Sequence, residues 1–121
     1  MSKQDFKTHK DLDIWKMGIT LVDVVYKLTV KYPKEEIYGL SSQMRRAAIS
    51  FSANIAEGAA RNSNKEFIRF LYISLGSLSE LETHLVIAKK LEYNTDSELD
   101  NLIELLRRKL LNFIKYLKNK P

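Results

Sequence analysis

Apolar residues recur at spacings of three and four along four stretches of this chain, and polar or helix-breaking residues separate the stretches. The first covers residues 11–32 and stops ahead of Pro33, which biases the residue before it out of the helical region. The connector Pro33-Lys34-Glu35-Glu36-Ile37-Tyr38-Gly39 leads into the second, residues 40–60, where Leu40, Met44, Ala48, Phe51, Ile55 and Ala59 share a face. Ser63-x-x-Glu66 has capping-box spacing and opens the third, residues 64–91, whose stripe is Phe67, Leu71, Leu78, Leu81, Leu85 and Ala88. A second such box, Thr95-x-x-Glu98, opens the fourth, residues 96–119, with Leu99, Leu102, Leu106, Leu110, Phe113 and Leu117 inward. Short connectors join antiparallel neighbours, so the pattern predicts an all-α, antiparallel up-down-up-down four-helix bundle in a single domain spanning residues 1–121. Residues 1–10 precede the periodicity and are expected to form a flexible basic tail.

Two segments carry more apolar surface than one bundle core uses. The first has Ile14, Trp15, Met17, Ile19, Leu21, Val22, Val24, Val25, Leu28 and Val30 around much of its circumference, and the third adds Ile68, Tyr72, Leu75 and Val86 beside its stripe. A helix that is apolar nearly all round must be buried nearly all round, which predicts a ring-like homo-oligomer covering the surplus. Gly76 in mid-helix costs about 1 kcal/mol relative to alanine, and close helix packing is the simplest compensation.

Composition narrows the function classes. The chain has 121 residues and no cysteine, so disulfides, thiolate metal sites and cysteine nucleophiles are excluded. No apolar run approaches the roughly 20 residues of a membrane span, and no apolar signal core follows Met1, so the expectation is a cytoplasmic protein without a membrane partner. The net charge of +5 is unevenly spread: Arg107, Arg108, Lys109, Lys115, Lys118 and Lys120 are followed by no acid, and Lys3, Lys7 and Lys10 stand against Asp5. An even number of antiparallel helices returns the chain to the end where it began. A basic rim of Lys3, Lys7, Lys10, Arg107, Arg108, Lys115, Lys118 and Lys120 is therefore the candidate nucleic-acid-binding surface.

The second segment also carries a polar row. At 100° per residue, Gln43, Arg46, Ser50, Asn54, Glu57 and Arg61 fall within a sector of about 80°. With Arg45 beside it, the row admits two readings. Its arginines can hold phosphates while Gln43 and Asn54 donate to sugar or base edges. Alternatively it is a buried or inter-subunit network in which Glu57 pairs with an arginine and Asn54 satisfies backbone groups, the reading favoured by a carboxylate in its middle. Enzyme signatures are weak. Glu80 and His84 are one turn apart, but paired Glu-x-x-His motifs are absent, as are GxGxxG and Walker-type loops, so no metal, cofactor or small-molecule substrate is expected.

Five ordered motifs carry a resemblance. Asp11-Leu12-x-x-Trp15, Tyr38-Gly39-Leu40-x-x-Gln43-x-Arg45-Arg46-Ala47, Asn54-Ile55-Ala56-Glu57-Gly58-x-x-Arg61, Phe67-x-x-Phe70-Leu71 and Gly76-Ser77-x-x-Glu80-Leu81-Glu82 together resemble the bacterial four-helix-bundle family encoded by intervening sequences within 23S ribosomal RNA genes. That family is similar to the accessory variability determinant of diversity-generating retroelements, a pentameric basic bundle that binds nucleic acid and partners a reverse transcriptase. The resemblance implies a non-enzymatic homopentamer that binds RNA or DNA. Its alternative is a protein-binding scaffold or accessory subunit, for example of a reverse transcriptase.

Overall fold

The computed structural model describes residues 6–120. Four helices, α1 (Asp13–Thr29), α2 (Leu40–Ala59), α3 (Asn64–Lys90) and α4 (Ser97–Lys118), pack in sequence order, and α4 closes against α1. No strand occurs among the described residues. The result is the up-down-up-down bundle that the periodicity predicts. Its core is formed by Leu21, Val25, Met44, Phe51, Ile55, Phe67, Leu71, Leu78, Leu81, Leu99, Leu106 and Leu110, with further apolar residues at either end. No helix is long and apolar enough to cross a membrane among the described residues.

The closest pairing is α2 with α3. A Cβ on Gly58 would meet Phe70 Cβ at 2.7 Å and Phe67 Cδ1 at 2.9 Å, so only glycine admits the two rings there. Gly18 plays the same part on α1, facing Ser52 and Phe51. Gly76 does not: nothing lies within 4 Å of its hypothetical Cβ. The close packing expected at that glycine is absent, because Gly76 lies on the outward side of α3.

Helix ends differ from expectation in two places. Helix α1 stops at Thr29 rather than residue 32, and Lys31 and Tyr32 continue in three-residue turns, their amides donating to Leu28 and Thr29 carbonyls. Asp96, not Thr95, caps α4, its carboxylate accepting from Glu98 N at 2.9 Å and Leu99 N at 3.4 Å. Ser63 caps α3 as expected, accepting from Glu66 N at 3.2 Å. The far end of α3 closes through Glu92 at φ 62°, with Tyr93 N donating to Ala88 O at 3.0 Å and Glu92 N to Lys89 O at 3.1 Å. This is a Schellman closure with glutamate where glycine is usual. It delivers Tyr93 to Tyr32, ring centroids 5.2 Å apart.

Burial corrects the stripes in detail. Ile103 and Ile114 are buried on α4, while Leu102 and Phe113 are only partly so. Most of the apolar residues around α1 are covered within the chain: Ile14, Leu21, Val25 and Leu28 are buried and Trp15, Met17, Val22 and Val24 pack partly buried against the core, while Ile19 and Val30 stay exposed, Val30 by 73%, as does Tyr26. The expected flexible tail is folded back from Phe6 onward. Phe6 packs on Phe67 at 6.0 Å, His9 on Trp15 at 5.0 Å, and Asp11 Oδ2 accepts from Thr8 N at 3.1 Å and Lys7 N at 3.0 Å. Those amides, Thr8 first, hold the Asp11 carboxyl below its usual range.

Candidate nucleic-acid interface

An aromatic chain assembles the end of the bundle at which α1 begins and α4 finishes. Phe6 meets Phe67, and Phe67 meets Phe113 edge-on at 5.6 Å. Residues 6–10 are thereby held beside the first turns of α3 and the last turns of α4. Lys7, Lys10 and Lys115 are exposed there. Lys118 donates to the Tyr72 hydroxyl at 2.6 Å with its ammonium 5.0 Å from that ring's centre, and Lys120 lies 5.3 Å from the Tyr116 ring centre. Lys3 lies outside the described residues. Sequence reasoning missed Lys65 and Arg69 on α3 and counted Lys109 on α4 among the basic residues without placing it in the rim; all three are exposed. The alternation of helix direction carries the signal for the first two, since it brings the start of α3 to the end of α4.

The local acids are largely engaged. Asp11 is tied to its own turn, Glu57 Oε1 lies 2.8 Å from Arg61 Nη2, and Glu66 lies 3.9 Å from Arg69. Among the described residues, Lys10, Lys65 and Lys115 have no carboxylate within ion-pair distance. Arg107 and Arg108 sit elsewhere, on the order of 15 Å along α4 from its last turn. Arg107 pairs with Glu82 at 2.8 Å and Glu104 at 3.3 Å, with only 21% of its side chain exposed. It is a cross-helix pin between α3 and α4, with its charge already balanced. Arg108 is exposed beside it.

The polar row lies along the α2–α3 seam. Asn54 Nδ2 donates to Ser50 O at 2.9 Å and Ser50 Oγ at 3.0 Å, and Ser77 Oγ donates to Ser50 Oγ at 2.9 Å. Asn54 thus satisfies a backbone group and Glu57 pairs with an arginine, but Glu57 and Arg61 are exposed, and so are Gln43 and Arg46. The network is half surface, half seam. Arg61 also spreads over the Phe70 ring at 4.8 Å. Arg45 is separate from the row: it turns to α1, its Nε donating to Thr29 Oγ1 at 2.9 Å and its guanidinium lying 4.5 Å from the Tyr26 ring centre.

At the opposite end, Glu36 receives Leu40 N at 3.1 Å and the Tyr93 hydroxyl at 2.8 Å. These donors, the Leu40 amide first, hold its carboxyl low, and the same bond raises Tyr93. Burial pushes the Tyr32 hydroxyl up to about 12, and that hydroxyl has no hydrogen-bond partner among the described residues.

A bundle with one basic end and no cluster of three potential metal-ligating side chains among its described residues is what this chain offers chemically. The chain has no match among curated proteins. It is similar in structure to a protein of unknown function from the S23 ribosomal protein family of Bacteroides thetaiotaomicron, with a TM-score of 0.74 and 25% identity, over 84% of this chain and 98% of that one. The description "23S rRNA-intervening sequence protein" matches residues 10–112, nearly the whole bundle. By that match the chain belongs to the 23S rRNA-intervening sequence protein family.

Proposed function

We propose that this protein is a non-enzymatic, cytoplasmic homo-oligomer, a pentamer in its assembled form, that binds RNA or DNA through its basic end. The observation that carries the proposal is the gathering of Lys7, Lys10, Lys65, Lys115 and Lys118 around an end where Asp11, Glu57 and Glu66 are engaged by backbone amides or neighbouring arginines and Asp13 is the exposed carboxylate left over. Lysines on a rim act as point charges on a phosphate chain, so the contact is electrostatic and indifferent to sequence. The exposed apolar residues Ile19, Tyr26 and Val30 on α1 and Tyr72, Ile73, Val86 and Ile87 on α3 support self-association, which removes them from water. Repetition of the basic end around a ring multiplies the phosphate contacts without any new residue.

The test replaces Lys115, Lys118 and Lys120 by glutamine and measures RNA and DNA binding across a salt series. Wild-type affinity falls steeply with salt, and the variant loses roughly 0.7–0.9 from the log–log slope for each phosphate contact removed. Light scattering is expected to give five copies of 14.1 kDa, about 70 kDa. The same apolar faces favour a second reading, an accessory subunit docking on a protein such as a reverse transcriptase. No nucleic-acid binding at low salt, together with retained self-association, selects it.

A further inference from the structure

Between the end of α1 and the start of α2, at the pole opposite the basic rim, lies an open hollow of about 210 Å³. Thr29, Tyr32, Lys34, Ser41 and Arg45 are among the residues that line it, and none of its lining residues is acidic. The nearest carboxylate in sequence that faces inward, Glu36, is committed to Leu40 N and the Tyr93 hydroxyl. A concave site with two cations and no counter-ion of its own has an unmet demand for negative charge.

Arg45 is prepared for such a ligand. Its Nε is fixed by Thr29 Oγ1, which in turn donates to Val25 O at 2.8 Å, and its plane rests on Tyr26. The terminal amino groups of the fork are left without a carboxylate, and little side-chain entropy remains to be lost on binding. Ser41 is 3% exposed and contributes a hydroxyl. Tyr32, 6% exposed, forms part of the wall, its hydroxyl closed off from solvent. The volume lies below the roughly 300 Å³ at which pockets for drug-sized ligands begin, which suits a single compact group.

We propose that this hollow binds one phosphate-type oxyanion, clasped by the Arg45 fork and the Lys34 ammonium, with the Ser41 hydroxyl beside them. The source of the group is either free inorganic phosphate or the phosphomonoester of a nucleotide. The site is independent of the basic rim and of the nucleic-acid reading.

The experiment titrates the full chain with inorganic phosphate at constant ionic strength, following the amide resonances of Ser41 and Arg45 and the heat of binding. Saturable binding is expected, weakened about tenfold in Lys34→Gln by loss of one charge-assisted contact, and more in Arg45→Gln. Because Arg45 also holds Thr29, its variant can lose stability, and Lys34→Gln, on an exposed turn, decides the matter. Undiminished affinity in Lys34→Gln, or no saturation in the wild type at millimolar phosphate, overturns the proposal. Adenosine 5′-monophosphate and adenosine separate the sources: phosphate bound tighter than the monophosphate identifies the free ion, and the reverse identifies a nucleotide end. Adenosine binding as tightly as its monophosphate overturns the site. The Lys115, Lys118 and Lys120 glutamine variant keeps its phosphate affinity, whatever becomes of nucleic-acid binding.

Discussion

The hydroxyl of Ser74 donates to the backbone carbonyl of Phe51 across the α2–α3 seam at 2.8 Å, and both residues are fully buried. Serine is a poor helix former in mid-helix, and here its side chain fixes the height of one helix against the other. Ser74→Ala removes the bond but leaves the carbonyl its place in α2, so a loss of about 1 kcal/mol is expected in chemical denaturation. Ser74→Val, which cannot donate and adds bulk, is expected to lose about 1–3 kcal/mol.

The same seam ranks the members of the polar row. Asn54→Ala removes two bonds to Ser50 and is expected to cost about 1 kcal/mol. Glu57→Ala removes only an exposed pair one turn apart and is expected to change stability by less than about 0.5 kcal/mol. Urea melts of the two variants check the order.

Two glycines are expected to respond in opposite directions. Gly58→Ala drives a methyl into Phe67 and Phe70 and is expected to destabilise by about 1–3 kcal/mol. Gly76→Ala meets nothing in the chain and is expected to stabilise by up to about 1 kcal/mol. A raised melting temperature for the second leaves the outer face of α3 free, and a lowered one puts another copy's backbone against it.

Glu92 holds a left-handed conformation that costs a side-chain-bearing residue about 1 kcal/mol. Glu92→Gly is expected to recover that amount in a thermal melt, without loss of the Tyr93–Glu36 bond.

Tyrosine ionisation sets an alkaline limit. Tyr32 ionises at about 12 in the folded chain against 10.0 ordinarily, so the unfolded chain gives up this proton first. The contribution is complete below pH 10 and is lost as the pH climbs towards 12. Tyr93 is shifted in the same direction by its bond to Glu36. Stability measured from pH 9 to 12 is expected to fall, and Tyr32→Phe to flatten the fall. At the acid side, Asp11 and Glu36, both held low, lose their contributions as the pH drops through the carboxylate range.

Four helices were legible because their apolar residues repeat at the helical period and proline or serine marks the breaks. Details failed where two local solutions compete. Thr95 and Asp96 both suit a helix start, and the carboxylate prevails because it accepts from two amides at the positive end of the helix. On α4 both the Leu102–Phe113 and Ile103–Ile114 edges fit the spacing, and only the positions of α1 and α3 decide between them. The lysines of the rim could be placed from the topology alone. The engagement of Arg107 could not, since its partner Glu82 lies 25 positions away on another helix. The Tyr32 hollow left no sequence signal because its residues come from the last turn of one helix, a proline turn and the first turns of the next.

The central α2–α3 hairpin also has a kinetic consequence. Glycine packing, the Ser74–Phe51 bond and the Ser77–Ser50 bond all bind neighbours in sequence, so this pair assembles with short loop closure. Only the closure of α4 on α1 spans nearly the whole chain. Amide protons of α2 and α3 therefore exchange last, and the seam between α1 and α4 is where the bundle opens first.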